Sequence, residues 1–116
     1  MTVLIVDDHP SFRASARTLL EAEGYEVVGE AENAAEALRS ARELQPDLVL
    51  LDVQLPDLDG FEVCEQLQSF DHPPLVVLTS SRDGADYGRC INGCGACGFV
   101  PKGDLSGAAL AALLPA

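Results

Sequence analysis

Short apolar runs alternate with stretches whose apolar residues recur every three or four positions, and this alternation repeats five times along the chain. The run Thr2-Val3-Leu4-Ile5-Val6 reads as a strand over residues 2–7, and Phe12, Ala16, Leu19 and Leu20 then share one face of a helix over 10–23. Gly24 ends that helix as a C-terminal cap. Glu26–Glu32 reads as a short strand centred on Val27-Val28, after which Asn33 caps a helix with the stripe Ala34, Ala37, Leu38, Ala41 and Leu44, stopped before Pro46. Asp47–Leu51 is continuously apolar after its first residue, the pattern of a central parallel strand covered on both faces. A loop over Gln54–Gly60 leads to a helix over Phe61–Ser69, Pro73-Pro74 breaks it, and Leu75–Leu78 forms a strand ending at Thr79-Ser80-Ser81. A helix over 83–93 is weakly encoded, because Gly84 and Gly88 each cost about 1 kcal/mol relative to alanine. Gly98–Pro101 is a short last strand and Leu105–Leu114 an alanine-rich last helix. Strands and helices alternating through short loops predict a three-layer α/β/α sandwich.

Chemistry gathers at the strand ends. The first strand runs into Asp7-Asp8, the third into Asp52, and Lys102, the chain's single lysine, follows Phe99-Val100-Pro101. In a parallel sheet all strand carboxyl ends lie on one edge, where such folds bind ligands, so the three acids and the lysine should meet. Carboxylates held together in a partly dehydrated pocket repel unless one keeps its proton or a hard divalent cation neutralises them. Mg²⁺ beside a lysine points to phosphate chemistry.

A length of 116 residues fits one domain with one core. The formal charge of −12 disfavours nucleic acid or an anionic membrane as a direct partner and favours a basic protein surface. No apolar stretch approaches the roughly 18 residues that span a bilayer, and the first residues form a strand instead of a leader, so a cytoplasmic protein is expected. Cys64, Cys90, Cys94 and Cys97 include one C-x-x-C spacing, but no second such pair or His-x₃-His accompanies it, and His9 and His72 lie far away in sequence. The thiols read as small buried apolar residues.

Asp7-Asp8, Asp52 with Pro56 and Gly60 four and eight positions on, Thr79 and Lys102 together resemble the receiver domain of two-component response regulators across the whole chain, residues 1–116. The stretch Asp7-Asp8-His9-Pro10-Ser11-Phe12-Arg13 further resembles the NarL/LuxR-type subfamily, in which a receiver usually precedes a helix-turn-helix domain. The resemblance implies a flavodoxin-like (CheY-like), doubly wound five-stranded sheet of order 2-1-3-4-5. It implies that Asp52 accepts a phosphoryl group from a sensor histidine kinase or phosphotransfer protein, with Mg²⁺ held by Asp8, Asp52 and the Gln54 backbone carbonyl and assisted by Asp7 through water. In the same pattern Lys102 pairs with Asp52 and then with the phosphoryl group, Thr79 donates to that group, and Phe99 takes the place of the switch aromatic. Gln54 and Ser81 tune phosphoryl lifetime. The output face is that of the fourth helix, fifth strand and fifth helix, serving a phosphorylation-dependent homodimer or interdomain contact. The short last helix and the subfamily resemblance point to a receiver from a longer regulator, whose output domain lies outside this chain.

Each residue alone has a plainer reading: Asp7-Asp8 as helix caps, Asp52 and Thr79 as turn residues, Phe99 as core. Their joint occurrence decides, because turns do not require a lone lysine opposite three acids. Many receivers follow the lysine with a proline, whereas here Gly103 follows and Pro101 precedes. A haloacid-dehalogenase-like phosphatase would need Asp-x-Asp, and Asp52-Val53-Gln54 lacks the second acid. A phosphorylation-independent interaction module on the same fold is expected to lose an acid, the hydroxyl or the lysine, and none is lost.

Overall fold

A computed structural model describes residues 1–81 and 93–114. Its elements are β1 (Thr2–Val6), α1 (Pro10–Ala22), β2 (Glu26–Ala31), α2 (Ala34–Leu44), β3 (Leu48–Asp52), α3 (Gly60–Gln68), β4 (Leu75–Ser80), β5 (Gly98–Pro101), a 3₁₀ turn (Lys102–Asp104) and a C-terminal helix (Gly107–Leu113). The strands form one parallel sheet in the order β2-β1-β3-β4-β5. This is the expected doubly wound order. The helix expected over 83–93 falls, but for its last position, outside the described residues, as do Gly84, Gly88 and Cys90.

Two-residue alternation along each strand divides the core into two layers. Val3, Ile5, Leu48, Leu50, Val77 and Val100 pack with Ala16 and Leu20 of α1 and Leu110 of the C-terminal helix on one side. Leu4, Val6, Val49, Leu51, Val76 and Leu78 pack with Ala34, Ala37 and Ala41 of α2 and Val63 and Leu67 of α3 on the other. β3 is buried at all five positions, as its unbroken apolar run predicts. Leu44, placed on the α2 stripe by periodicity, instead stays 43 % exposed at the helix end.

The helix ends follow local chemistry. Gly24, at φ 92°, closes α1 in a Schellman arrangement in which Gly24 N donates to Glu21 O and Tyr25 N to Leu20 O. Asn33 caps α2 by accepting from Glu36 N at 2.8 Å. Asp59 caps α3 by accepting from Glu62 N at 2.9 Å, so that helix begins at Gly60, one residue earlier than the apolar pattern alone indicates. The C-terminal helix starts at Gly107 behind the Ser106 cap, not at Leu105, because residues 102–104 turn as a 3₁₀ segment first. β4 continues two residues past Leu78, since Thr79 and Ser80 keep pairing with Asp52 on one side and with Val100 and Pro101 on the other. No helix of the described residues is long and apolar enough to cross a membrane.

Gly60 positions the end of β3. A Cβ there would collide with the Asp52 carbonyl oxygen and lie 2.8 Å from Val53 Cα, while Gly60 N donates to Val53 O at 2.7 Å. Only a residue without a side chain lets α3 start this close to the strand end. Gly60→Ala should therefore lower stability by about 2 kcal/mol, the scale of overpacking a rigid contact, read by urea denaturation; an unchanged midpoint would mean that the loop yields freely.

Candidate functional site

Asp7, Asp52, Thr79 and Lys102 occupy the same strand parity as Val3 and Ile5, Leu48 and Leu50, Val77, and Val100, which places them toward α1 at the carboxyl edge of the sheet. Asp7, Asp52 and Thr79 are buried. Lys102 Nζ lies 2.6 Å from Asp7 Oδ2 and 3.3 Å from Asp52 Oδ2, with the Phe12 ring of α1 below it, 4.8 Å from the centroid. Arg13 Nη1 donates to the Asp7 carbonyl at 2.6 Å, and the Asp52 carboxylate accepts from Gln54 N at 3.0 Å. Lys102 thus meets Asp7 and Asp52, Asp8 offers a carboxylate oxygen within 4.8 Å of theirs, and Thr79 pairs with Asp52 in the strand register.

The electrostatics are uneven. Burial pushes the Asp52 carboxyl upward and the nearby Asp7 charge adds to this, against the opposing pull of the Gln54 N–H and of Lys102. Burial alone would lower Lys102, but Asp7 and Asp52 outweigh it and hold the ammonium above its ordinary value. One lysine thus serves two buried carboxylates, and Asp7 takes the shorter contact. Asp7 Oδ2 has no partner in hydrogen-bonding geometry despite the ammonium beside it, and neither has Thr79 Oγ1. Two acids sharing one ammonium and a hydroxyl without a partner at one edge are what a divalent cation and a phosphoryl group would satisfy.

Ligand atoms of Asp7, Asp8, His9 and Asp52 all lie within 4.8 Å of one another, so the donor set fits a divalent ion. His9 was not among the residues expected from sequence. Its Nδ1 sits 3.1 Å from both Asp7 Oδ1 and Asp8 Oδ1; a histidine directly after two strand-end acids was the available signal. Also unexpected is Asp57, which crosses from the β3–α3 loop to accept from Ala34 N at 2.8 Å and Ala35 N at 3.1 Å. Those helix N–H groups, Ala34 first, hold its carboxyl below the usual range. The loop containing Gln54 is thereby fastened to α2, and a Gln54–Asp59 bridge braces it internally.

The remaining expected residues are less central. Phe99 pairs with Leu78 and packs on the α2–α3 side, the opposite face of the sheet from the parity of Thr79. Ser81 is exposed just past β4. Cys64 and Cys94 are buried and Cys97 is half-buried, all three as free thiols; burial, first, pushes the Cys64 thiol far up. That is the behaviour of core residues.

The family model for the response regulator receiver domain matches residues 3–112, and the chain belongs to that family. It is 48 % identical over 101 residues to BvgA of Bordetella pertussis, which carries the name of a positive transcription regulator of virulence factors, covering 86 % of this chain and 48 % of that protein. It is 32 % identical to the DNA-binding transcriptional activator EvgA of Escherichia coli K12, covering 88 % of this chain and 50 % of that one. The crystal structure of a LuxR-family two-component response regulator from Aurantimonas sp. superposes with a TM-score of 0.85 at 33 % identity, over 97 % of this chain and 84 % of the other. The chain spans about half the length of the curated relatives it matches.

The raised Asp52 carboxyl has a pH consequence. Because the folded state holds this proton more tightly than the unfolded chain does, stability is lost as pH rises from the ordinary carboxylate range through the raised folded value. Asn at this position carries no such penalty. In EDTA, Asp52→Asn should be more stable than the native protein at pH 7 by a margin that shrinks toward pH 4, measured by urea unfolding; a margin independent of pH would show that Lys102 already compensates Asp52 in full.

Proposed function

We propose that this receiver accepts a phosphoryl group on Asp52 from a phosphohistidine of a sensor kinase or phosphotransfer protein, in a Mg²⁺-dependent reaction, and that phosphorylation controls transcription through an output domain. The observation that carries this reading is the contact set of Lys102: its ammonium reaches both Asp7 and Asp52, and Asp52 ends the strand beside Thr79. Phosphoryl transfer to a carboxylate brings two anions together, so positioning and charge neutralisation supply most of the catalysis. Asp8 and Asp52, the Gln54 carbonyl and, through water, Asp7 would hold the ion. Bound Mg²⁺ neutralises the acids and the phosphoryl oxygens.

The chain's own groups account for the remaining roles. Lys102 supplies a compact positive charge to a phosphoryl oxygen once that group stands on Asp52. Thr79 Oγ1, buried and without a hydrogen-bond partner, donates to the same group. Gln54 and Ser81, uncharged, set how readily water reaches the acyl phosphate, which the domain forms and loses as a self-acting phosphoacceptor. Phe99 responds by repacking alone, since it has no hydroxyl, and transmits the change to the face of β5 and the C-terminal helix. A homodimer or interdomain contact forms there.

A half-buried apolar groove of about 460 Å³ runs beside Lys102 and is lined by Phe12, Ala16 and Leu19 of α1 and by Leu105. A phosphodonor protein laying a helix in this groove would bring its phosphohistidine to the carboxyl edge. The negative charge of the chain favours a basic donor surface.

Acetyl phosphate with Mg²⁺ should add one base-labile phosphoryl group, seen by intact mass, and Asp52→Asn should abolish it; undiminished labelling of that variant would remove Asp52 from the reaction. Mg²⁺ several-fold above its Kd should add about 1 kcal/mol of stability, and Asp8→Ala should lose most of the melting shift; a full shift in that variant would put the ion elsewhere. Leu19→Glu should slow transfer from a phosphohistidine protein while leaving acetyl phosphate labelling intact. Equal slowing with both donors would mean that α1 does not dock the protein donor.

A further inference from the structure

The strand-end acids have a neighbour that none of the roles above uses. His9 occupies the N-cap position of α1, yet its side chain makes no capping hydrogen bond. Ser, Thr, Asp and Asn are the usual caps there, because their short side chains reach back to the first turn. The imidazole turns the other way. Its Nδ1 stands 3.1 Å from Asp7 Oδ1 and 3.1 Å from Asp8 Oδ1, between the two acids. The backbone independently fixes this geometry, since His9 N donates to Asp7 Oδ1 at 2.8 Å.

We propose that His9 is a ligand of the cation pocket, supplying Nδ1 beside the carboxylates when the bound ion belongs to the Mn²⁺ to Ni²⁺ class. The inference rests on the pocket holding a divalent cation, as proposed above. An all-oxygen set suits Mg²⁺, which binds nitrogen poorly and keeps its waters, whereas imidazole suits Fe²⁺ and Ni²⁺, and Mn²⁺, though it prefers oxygen, accepts a nitrogen ligand more readily than Mg²⁺ does. The nitrogen lies among ligand atoms that are all within 4.8 Å of one another, close enough for one ion to touch the set. A buried oxygen in the same pocket, Asp7 Oδ2, is met only by the Lys102 ammonium it shares with Asp52. The His9 side chain is 64 % exposed and that of Asp8 37 %, so an ion enters from solvent without opening the core. Binding replaces any proton on Nδ1 and leaves a neutral imidazole donating its lone pair to the ion. The consequence is a site whose metal preference is set by one residue outside the carboxylate set.

Electron spin-echo measurements on the Mn²⁺-loaded chain separate the possibilities, because a directly bound imidazole nitrogen modulates the manganese echo and water or carboxylate oxygen does not. The chain has only two histidines, His9 and His72; His72 lines a separate cavity with Arg42, Gln45 and Phe70. Nitrogen modulation should appear in the native protein and in His72→Gln and vanish in His9→Gln. The preference for Mn²⁺ over Mg²⁺, read by Mg²⁺ displacement of bound Mn²⁺, should fall about tenfold in His9→Gln, equivalent to about 1.4 kcal/mol. Bound Mn²⁺ that is lost in Asp8→Ala but shows no nitrogen modulation would overturn the role of His9 and leave the cation pocket standing. Mn²⁺ binding that survives Asp8→Ala, or no binding at all, would overturn both.

Discussion

One ammonium between two buried carboxylates organises the carboxyl edge of this sheet. Lys102 reaches Asp7 at 2.6 Å and Asp52 at 3.3 Å from the 3₁₀ turn between β5 and the C-terminal helix. Two dehydrated acids with one cation between them are a costly arrangement, in which burial, first, and the Asp7 charge push the Asp52 carboxyl up. A structure assembled purely for stability would have no reason to keep it. On the proposed function, a divalent ion would supply the charge that one ammonium between two acids does not.

Around that centre, the supporting contacts hold main chain in place. Arg13 grips the carbonyl of Asp7, Gln54 N fixes the Asp52 carboxylate, and Gly60 lets α3 press against the Asp52 carbonyl. Asp57 ties the same loop to the first turn of α2, whose own cap is Asn33. The β3–α3 loop is therefore anchored at both ends and in the middle. A loop so anchored positions its oxygen donors before any ion arrives, which reduces the ordering penalty on binding. At the far edge, Asp47 and Thr2 exchange hydrogen bonds between the starts of β3 and β1, so the two acid-bearing strands are pinned at both ends.

The strands and the strand-end acids and lysine were legible because two simple periodicities coincide, whereas the strand order and the role of Thr79 came from the family resemblance. Apolar runs put Asp7, Asp52, Thr79 and Lys102 at strand ends, and alternation gives all four the same facing. What sequence patterns did not reveal depends on side chains crossing between elements. Asp57 looks like an ordinary turn residue between Pro56 and Leu58, and nothing in its local sequence announces that the N–H groups it accepts from lie at Ala34 and Ala35, over twenty positions away. Asp59 carries no periodic apolar signal of its own, and its capping role shows only where Glu62 N meets its carboxylate. The extension of β4 through Ser80 is a tertiary effect, set by neighbours on both sides and not by the polar character of Thr79 and Ser80 themselves.

The placement of Phe99 bears on how a signal would leave the site. Thr79 belongs to the parity of Val77 and Val100, packed toward α1, whereas Phe99 pairs with Leu78 and packs toward α2 and α3. On the proposed function, a shift of the Thr79 hydroxyl toward a phosphoryl group would have to reach Phe99 through the strand itself, because the two side chains lie on opposite faces of the sheet. β5 is the strand best suited to such a change: it has four residues, lies at the edge of the sheet and pairs with β4 alone. An edge strand held on one side can move as a unit at a small fraction of what a central strand would require. Lys102 follows it directly, so on the proposed function a displacement that drew the ammonium toward a phosphoryl oxygen would also carry Phe99. Charge at one end of a short strand and packing along its length are then two readings of a single motion.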